Sequence, residues 1–294
     1  MRYIIKILFL TAIGLVTAFS QSHGQTNHDL PGISFHNIAK DTVRINRLLE
    51  LGIESDGKSP EDYVALIAQE FMNTPYVAHT LEGDEEVLRV NLDELDCTTF
   101  IETVGAFAKT IKEGRGSWHD YIANLESIRY RRGNMDGYVS RLHYVCDWIN
   151  DNSYRGNVKD ITSSFPTCGY VVKSIDFMTS NSNRYPQLAD SAVYAGIREI
   201  EGGYSNTRFP ILKGSKLNRK DVKKLFRSGY LVAFTCSLRN LDVTHWGIII
   251  VDEAGEPQVL HASSSAGKVV MTTSGLYEFV RRNGFTGVRV VTFL

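Results

Sequence analysis

The sequence lacks several features that would assign it to a common functional class. It has no excess of basic residues, since 32 Lys and Arg stand against 33 Asp and Glu and the formal net charge is -1. This balance argues against a nucleic-acid partner, because binding to phosphates requires clustered positive charge. The chain also has no internal repeats, no low-complexity tract and no linker rich in Pro, Gly or Ser. We therefore expect a single folded domain.

Long apolar runs are absent except near the N-terminus. A positively charged start precedes an apolar run at residues 7–19, and a polar stretch with small residues follows it. The run is shorter than the roughly 20 residues that cross a bilayer as a helix. The pattern predicts a signal peptide at residues 1–24 and an exported, periplasmic mature chain at residues 25–294. No cysteine follows the run, so we expect no lipid anchor and no stable membrane attachment after cleavage.

Cysteines are few. The four of them, Cys97, Cys146, Cys168 and Cys236, stand in a chain long enough to form a core without disulfides. If one is catalytic, the remaining three cannot all pair. We expect free thiols that are mostly buried. Cys146 fits this expectation, because it lies on the apolar face of a predicted helix.

Helical spacing dominates the first part of the mature chain, and strand patterns dominate from about residue 205 onwards. Helices are predicted in "SPEDYVALIAQEFM", from Cys97 onwards, in "SWHDYIANLESI" and in "YVSRLHYVCDWIND". Strands are predicted in "RFPILK", "YLVAFTCS", "VTHWGIIIVD", "PQVLHASS", "KVVMT" and "VRVVTFL". Two further helices, "NRKDVKKLF" with Asn218 as cap and "SGLYEFVRRNG" with Ser274 as cap, interrupt the strands. This order predicts an α+β fold with a mainly antiparallel sheet.

Cys97 is placed at the start of the second of these helices, in "LDELDCTTF". It is interpretable as a core residue, half of a disulfide, a metal ligand or a nucleophile. A helix N-terminus favours the thiolate, because its free N–H groups carry partial positive charge. Asp96 is a suitable cap, and the same N–H groups are candidates for an oxyanion hole.

Two of the eight histidines stand out as partners for a reactive thiol. His245 and His261 lie on apolar strands, where a polar ring requires a reason. If Glu253 to Gly255 form the turn of a hairpin, Gly247 lies opposite His261 and His245 is a diagonal neighbour on the same face. The rings can then hydrogen-bond, with His261 orienting His245 as the base.

These motifs resemble the three catalytic blocks of the NlpC/P60 papain-like cysteine peptidase superfamily. "DCTTF" resembles its cysteine block, "THWGIII" its histidine block, "VLHASSSAGKVV" its second polar block, and "MNTPYVAHTLEG" the Pro-Tyr block that precedes the cysteine. Within the superfamily, "NLDELDCTTFIE", "IRYRRG" and "SRLHYVCDWI" are similar to the DUF1460 branch of N-acetylmuramoyl-L-alanine amidase-like proteins. The resemblance spans residues 63 to about 291.

The resemblance implies a papain-like fold with the catalytic Cys at a helix N-terminus that packs on the sheet. It implies that Cys97 is the nucleophile, His245 the base and His261 the residue that orients it. Tyr76 would face the cysteine and help to bind the oxyanion. The sequence has "DCTTF" where many members of the superfamily have "DCSGF", and this difference favours the amidase branch over endopeptidases.

A helical insertion is expected at about residues 115–200 of the single domain, and we expect substrate recognition there. Its basic and aromatic side chains suit peptide carboxylates and sugar rings. They are Arg129, Tyr130, Arg131, Arg132, Arg141 and His143. Arg131 is the preferred candidate because it stands within the branch-like motif, and Thr98, Thr99, Ser263 and Ser264 are further candidates beside the catalytic blocks.

The sequence therefore predicts a thiol amidase that cleaves the bond between N-acetylmuramic acid and L-alanine in peptidoglycan or muropeptides. No cofactor is required for that reaction. Cleavage between D-glutamate and the diamino acid is an alternative within the class. A zinc amidase with Cys97, Asp96, His245 and His261 as ligands is a weaker alternative, because closely spaced ligand pairs are lacking. A non-catalytic wall-binding module on the same fold is the third.

Overall fold

The structure is a computed structural model that describes residues 31–55 and 57–294. The signal peptide predicted at residues 1–24 lies outside the described residues. The helices are α1 (Ile38–Ile53), α2 (Pro60–Gln69), α3 (Cys97–Lys112), α4 (Trp118–Arg129), α5 (Val145–Tyr154), α6 (Phe177–Ser180), α7 (Ser191–Gly202), α8 (Lys220–Lys223) and α9 (Leu276–Arg282). The strands are β1 (Ile33–Phe35), β2 (Leu88–Val90), β3 (Val158–Asp160), β4 (Cys168–Lys173), β5 (Thr207–Lys213), β6 (Leu231–Thr235), β7 (Val243–Val251), β8 (Pro257–Ser263), β9 (Lys268–Met271) and β10 (Gly287–Phe293).

The predicted α+β class with a mainly antiparallel sheet is confirmed. The large sheet has the order β4-β5-β10-β6-β7-β8-β9, β3 pairs with β10 to one side, and all of these pairings are antiparallel. A separate small sheet joins β1 and β2 in parallel. The six strands predicted from residue 205 onwards correspond to β5 to β10.

Side chains from opposite faces of the large sheet form two apolar cores. On one face, Trp246 and Leu260 pack with residues of α3 such as Phe100 and Phe107. On the other face, Phe234, Val259 and Val288 pack with Leu276 and Val280 of α9. The alternation follows from the two-residue period of a strand. Each face of β7 and β8 therefore meets a different helix, and this arrangement positions the candidate site.

Capping explains where the early helices begin. Ser59 before α2 and Ser117 before α4 each form a reciprocal capping box with the aspartate three residues later. These serines are the first residues of the two segments "SPEDYVALIAQEFM" and "SWHDYIANLESI", in which the sequence predicts helices. The sequence analysis did not predict α1, although Asn37 caps it by accepting a hydrogen bond from the Lys40 N–H.

Three of the predicted helices differ from those observed. Tyr138 lies in a short 3-10 turn rather than in α5, because Gly137 has a φ of 69° and Arg141 is extended. The helix therefore begins at Val145. In addition, α8 begins at Lys220 without a side-chain cap from Asn218, and Gly275, not Ser274, precedes α9.

The insertion at residues 115–200 is only partly helical. It contains α4 to α7 and also β3 and β4, and β4 extends the large sheet by pairing Cys168 to Lys173 with Leu212 to Thr207. The pattern "CGYVVK" is short and contains a glycine, so its strand signal is weak. The segment forms a strand because β5, which lies further along the chain, pairs with it.

The four cysteines are all unpaired in the structure. Only Cys146 is buried, and Cys97, Cys168 and Cys236 are partly exposed. The expectation of mostly buried thiols is therefore wrong for three of them.

Candidate active site

Cys97 is the first residue of α3, and Asp96 caps the helix. Asp96 Oδ1 accepts hydrogen bonds from the backbone N–H of Thr98 at 2.9 Å and of Thr99 at 2.8 Å, and Thr99 Oγ1 accepts one from the Asp96 N–H at 2.8 Å. The cap therefore occupies two of the N–H groups that a helix start offers. The oxyanion hole expected from the first turn is reduced to the N–H of Cys97 itself.

Tyr76 supplies a second donor near the thiol. Its backbone N–H donates to Gly267 O at 2.9 Å, and it forms a β-bridge with Leu95, just before the cysteine. Burial, followed by the charges of Cys97 and Asp96, raises the pKa of Tyr76 to about 12. The phenol is therefore protonated at neutral pH, and its hydroxyl makes no hydrogen bond within the described part of the chain. It is free to donate to a substrate oxygen.

His245 and His261 form a hydrogen-bonded pair. The β7–β8 register, with Ile248 opposite Leu260, places Gly247 opposite His261, as the sequence predicts. His245 Nε2 lies 2.8 Å from His261 Nδ1, and the ring planes are nearly perpendicular. One of these nitrogens donates and the other accepts, so the pair fixes the tautomer of both rings.

Aromatic rings enclose the pair. His245 stacks on Phe234 with the ring centroids 5.7 Å apart, and Phe279 meets His261 edge-on at 4.9 Å. Burial, together with the neighbouring His261, lowers the pKa of His245 to about 3, and burial lowers that of His261 to about 4. Both rings are therefore neutral at pH 7 and able to accept a proton.

The Cys97 thiol lies on the other side of β7. Burial, with the Asp96 carboxylate as the second cause, raises the pKa of the thiol to about 12, while the Thr98 hydroxyl and the Trp246 backbone N–H act in the opposite direction. The resting group is therefore a neutral thiol. It lies against the Trp246 peptide, directly after His245 in sequence.

The thiol and the imidazole pair meet β7 at neighbouring residues, Trp246 and His245. The β7–β8 ladder ends at Ile248 and Leu260, so His245 and His261 lie beyond it. Trp246 faces α3, whereas His245 faces Phe234 on the opposite side. No hydrogen bond joins Cys97 to either histidine in the described part of the chain. Among the described residues, the structure pairs the two histidines and brings Cys97 to the adjacent peptide, without a hydrogen bond between the two groups.

Ser263 and Thr98 occupy different parts of this region. Ser263 is buried at the end of β8, where its hydroxyl accepts a hydrogen bond from the Ala266 N–H at 3.2 Å and contacts Ser265. It therefore stabilises the turn that leads to Gly267, whose carbonyl oxygen accepts the hydrogen bond from the Tyr76 N–H. The Thr98 hydroxyl interacts with the thiol of Cys97. Roles for either residue in substrate binding remain predictions.

A cavity of about 470 Å³ opens onto the histidine pair. We call it the histidine cavity. It is lined by both histidines and by hydroxyl, amide and cationic side chains, among them Ser263, Thr273, Arg282 and Asn283. Sequence reasoning missed the contribution of α9, since "LYEFVRR" carries only the spacing of an ordinary amphipathic helix. The aromatic residues Phe279, within α9, and Phe285, after it, are the sequence feature that could have indicated this contribution.

Two arginines expected to recognise substrate are structural instead. Arg129 donates from Nε to Glu102 at 2.6 Å and from NH1 to Arg89 O at 2.7 Å, with its side chain only 2% exposed. Arg141 is also buried and donates to the Glu82 carboxylate at 2.9 Å. These guanidinium groups are not available to a substrate, because buried charges require their partners.

The remaining residues of this group lie apart from Cys97. His143 is hydrogen-bonded through Nε2 to Tyr138 O at 2.8 Å. Arg131 forms a two-point ion pair with Asp147 and lines a separate cavity of about 810 Å³. That cavity shares no lining residue with the histidine cavity. The structure does not bring Arg131 to the catalytic blocks, and its role in binding stays a prediction.

Replacing Arg129 with Met should destabilise the fold strongly. The change leaves the Glu102 carboxylate buried without its partner, and such losses cost about 3–5 kcal/mol. Urea unfolding measures the effect. Arg47→Met is the matched control, because Arg47 is 63% exposed and its ion pair with Glu70 is long at 3.4 Å, so its loss costs at most about 1 kcal/mol. Equal effects of the two substitutions would contradict this interpretation.

Gly247→Ala should disturb the histidine pair. The added Cβ would lie 2.7 Å from Val259 Cγ1, 2.9 Å from Leu260 O and 3.0 Å from His261 Cβ, and overpacking of this kind costs about 1–3 kcal/mol. Urea unfolding tests the prediction. Gly169→Ala is the control in another strand, since its Cβ would meet nothing closer than 3.9 Å. A neutral result at Gly247 would show that β8 can move aside.

Residues 31–55 and 57–294 contain no group of three or more His, Cys, Asp or Glu side chains placed to hold a metal ion. In the same part of the chain, no helix has the length and hydropathy of a membrane span.

Comparison with known proteins identifies relatives over most of the chain. The model of the AmiA-like family, described as N-acetylmuramoyl-L-alanine amidase-like, matches residues 66–288. A crystal structure of an N-acetylmuramoyl-L-alanine amidase from Bacteroides uniformis is 34% identical, with a TM-score of 0.74, over 80% of this chain and 99% of that one. No curated protein sequence matches.

Two other solved structures are similar. One from Bacteroides fragilis, named as a candidate xylanase, is 36% identical with a TM-score of 0.70, over 77% of this chain and 99% of that one. A Legionella pneumophila protein assigned to DUF1460 is 21% identical with a TM-score of 0.66, over 88% and 97% of the two chains, and shows likeness of fold alone. The expected branch is confirmed: this chain belongs to the AmiA-like family of N-acetylmuramoyl-L-alanine amidase-like proteins.

Proposed function

We propose that this chain is an exported cell-wall hydrolase that cleaves the amide bond between N-acetylmuramic acid and L-alanine in peptidoglycan or its fragments. Cys97 is the nucleophile, His245 the base and His261 the residue that positions the base. One observation carries the proposal. A neutral imidazole, held by a second imidazole, lies on the residue directly before Trp246, whose backbone N–H interacts with the thiol at the start of α3.

The His245–His261 bond determines which nitrogen acts. If His245 donates its Nε2 proton to His261 Nδ1, its own Nδ1 carries a lone pair. That nitrogen takes the Cys97 proton as Sγ bonds to the lactyl carbonyl carbon. The contact between the thiol and His245 forms in the substrate complex, since catalytic hydrogen bonds are often long beforehand and tighten only when substrate binds.

The reaction then proceeds as an acyl transfer to the thiol. The carbonyl oxygen becomes an oxyanion, to which the Cys97 N–H and the Tyr76 hydroxyl donate. Collapse of the intermediate breaks the C–N bond, and His245 returns its proton to the departing amine of L-alanine. Water, deprotonated by His245, attacks the thioester, and the products are the lactyl carboxylate and the free thiol.

The name of the Bacteroides fragilis relative raises glycoside hydrolysis as another possibility. Most glycosidases need two carboxyl groups that flank the bond to be cleaved. None of the described residues that line the histidine cavity is Asp or Glu. The side chains at this site therefore favour acyl transfer over glycoside hydrolysis.

Mass spectrometry of digested muropeptides tests the reaction. We expect the wild-type protein to release intact stem peptides that begin with L-alanine and to leave sugars with a free lactyl carboxylate. Release of dipeptides instead would indicate cleavage between D-glutamate and the diamino acid. Binding without turnover, unchanged in Cys97→Ala, would indicate a wall-binding module.

A second comparison separates a thiol mechanism from a zinc mechanism. Thiol alkylation should abolish activity, and a chelator should leave it unchanged. Loss of activity on chelation, recovery with zinc and insensitivity to alkylation would contradict the role of Cys97 as nucleophile. Export to the periplasm, proposed on the pattern of residues 1–24, is tested by cell fractionation with and without that segment.

A further inference from the structure

A second cavity lies next to the histidine cavity. It has a volume of about 790 Å³ and lies between β4, β5 and α9. Phe285 lines both cavities. Val171, Lys173 and Ser237 in turn connect the second cavity to a third one of about 510 Å³. We call the three together the trough. Its second and third cavities do not include His245 or His261 among their lining residues.

The first two cavities of the trough carry positive charge only. Lys173, Lys213 and Arg281 line the second cavity, and Arg282 lines the histidine cavity. Neither cavity is lined by an Asp or Glu among the described residues. The whole chain has a formal net charge of -1, so this is a local arrangement and not a consequence of composition. A concave surface of one sign attracts ligands of the opposite sign.

Two of these cations are already engaged. Lys173 is buried, and its Nζ donates to three backbone carbonyl oxygens at 2.6–2.7 Å. Arg281 lies on the exposed surface of α9 and forms an ion pair with Glu278 at 2.7 Å. Lys173 therefore has its three N–H donors engaged, and the charge of Arg281 is paired with a carboxylate.

Lys213 differs from them. It is the last residue of β5. Its side chain is exposed, and the side-chain ammonium group forms no hydrogen bond or ion pair within the described part of the chain. Tyr277 of α9 lines the same cavity and supplies an aromatic wall. A cation beside an aromatic surface suits a ligand that carries a carboxylate on a partly apolar chain.

We propose that Lys213 binds a carboxylate of the peptide stem at a distance from the scissile bond, and thereby favours substrates with extended stems over short ones. The proposal rests on the proposed function, because it takes the histidine cavity as the place of cleavage. A peptide stem fits the trough since it is extended and carries free carboxyl groups on D-glutamate and on diaminopimelate. Lys213 is here a specificity residue and takes no part in bond cleavage.

Calorimetric binding to Cys97→Ala tests the site without turnover. The probes are the tetrapeptide L-alanyl-γ-D-glutamyl-diaminopimelyl-D-alanine and the dipeptide L-alanyl-D-glutamate. Lys213→Gln should weaken tetrapeptide binding about fivefold, the effect of losing one solvent-exposed ion pair, and Lys213→Glu should weaken it further. Dipeptide binding should be unchanged. The effect should shrink at 1 M salt, because screening is then strong.

Lys216→Gln is the matched control. Lys216 is exposed, lies three residues further along and does not line the trough. Unchanged tetrapeptide affinity in Lys213→Gln, or an equal loss in Lys216→Gln, would overturn the proposal. Lys213-dependent binding without hydrolysis of any muropeptide would support the site and contradict the reaction. Hydrolysis by wild type with a KM for long stems that is unaffected by Lys213→Gln would support the reaction and contradict the site.

Discussion

Cys97→Ala should abolish hydrolysis of muropeptides, with a loss of rate on the order of 10⁴-fold or more. The expected size follows from the mechanism, because no acyl-enzyme can form without the sulfur. Folding should be retained, since the side chain is small, partly exposed and without a hydrogen-bonded partner side chain other than Thr98. Release of stem peptides, followed by mass spectrometry, measures the loss. Circular dichroism confirms that the variant is folded.

Cys168→Ala is the matched control for this prediction. Cys168 is also partly exposed, but it lies at the start of β4, where its thiol donates to the Gly169 carbonyl oxygen and packs against the apolar core on the α9 face. Its replacement should leave the rate within about twofold of wild type, as expected for a position outside the reaction. Substantial activity in Cys97→Ala would rule out a thioester intermediate. Comparable loss in both variants would point to a general sensitivity of the fold.

His245→Gln should lower the rate by about 10³-fold, somewhat less than loss of the nucleophile. Glutamine can still hydrogen-bond to His261, so the packing beneath Phe279 is largely kept, but it cannot take up the thiol proton. His119→Gln is the control, because His119 is exposed on α4 and belongs to neither cavity. An active His245→Gln enzyme would require another base.

The pH profile gives this prediction a second readout. Burial lowers the pKa of His245 to about 3, far below its ordinary value near 6.5. The base is therefore neutral and competent throughout the range from pH 7 down to about 5, and kcat/KM should be lost only as the pH approaches the lowered pKa. The same shift lowers stability in acid. The unfolded chain binds a proton at His245 below about pH 6.5, so stability falls between there and pH 3.

Local patterns in the sequence were enough to predict the strands and most helix starts. The capping boxes at Ser59 and Ser117 and the hairpin register at Gly247 are set by neighbouring residues, and they match the structure. The His245–His261 hydrogen bond follows from that register. Short-range chemistry determines all of these features, so a single sequence contains them.

Long-range packing decided what the sequence did not predict. The arginines of "IRYRRG" resemble a basic surface. Arg129 is nevertheless buried, because it forms an ion pair with Glu102, 27 positions earlier in the chain. Strand β4 forms because β5 offers it a pairing edge. The packing of Cys97 and Trp246 in one core, and of Phe234 beside His245 in the other, likewise follows from how α3 and α9 pack on opposite faces. None of these outcomes has a signature within a window of ten residues.

The place of β10 in the sheet has a consequence for when the protein becomes active. This strand follows all other described strands in sequence, yet it lies between β5 and β6 near the middle of the sheet. The segment before Cys97 is tied in the same way to residues made much later, since Asn73 and Lys268 are hydrogen-bonded across 195 positions. Contacts between residues that are so far apart in sequence form slowly during folding. A partly synthesised chain without β10 lacks the strand that pairs with both β5 and β6, so we expect hydrolytic activity to arise only after β10 has been inserted.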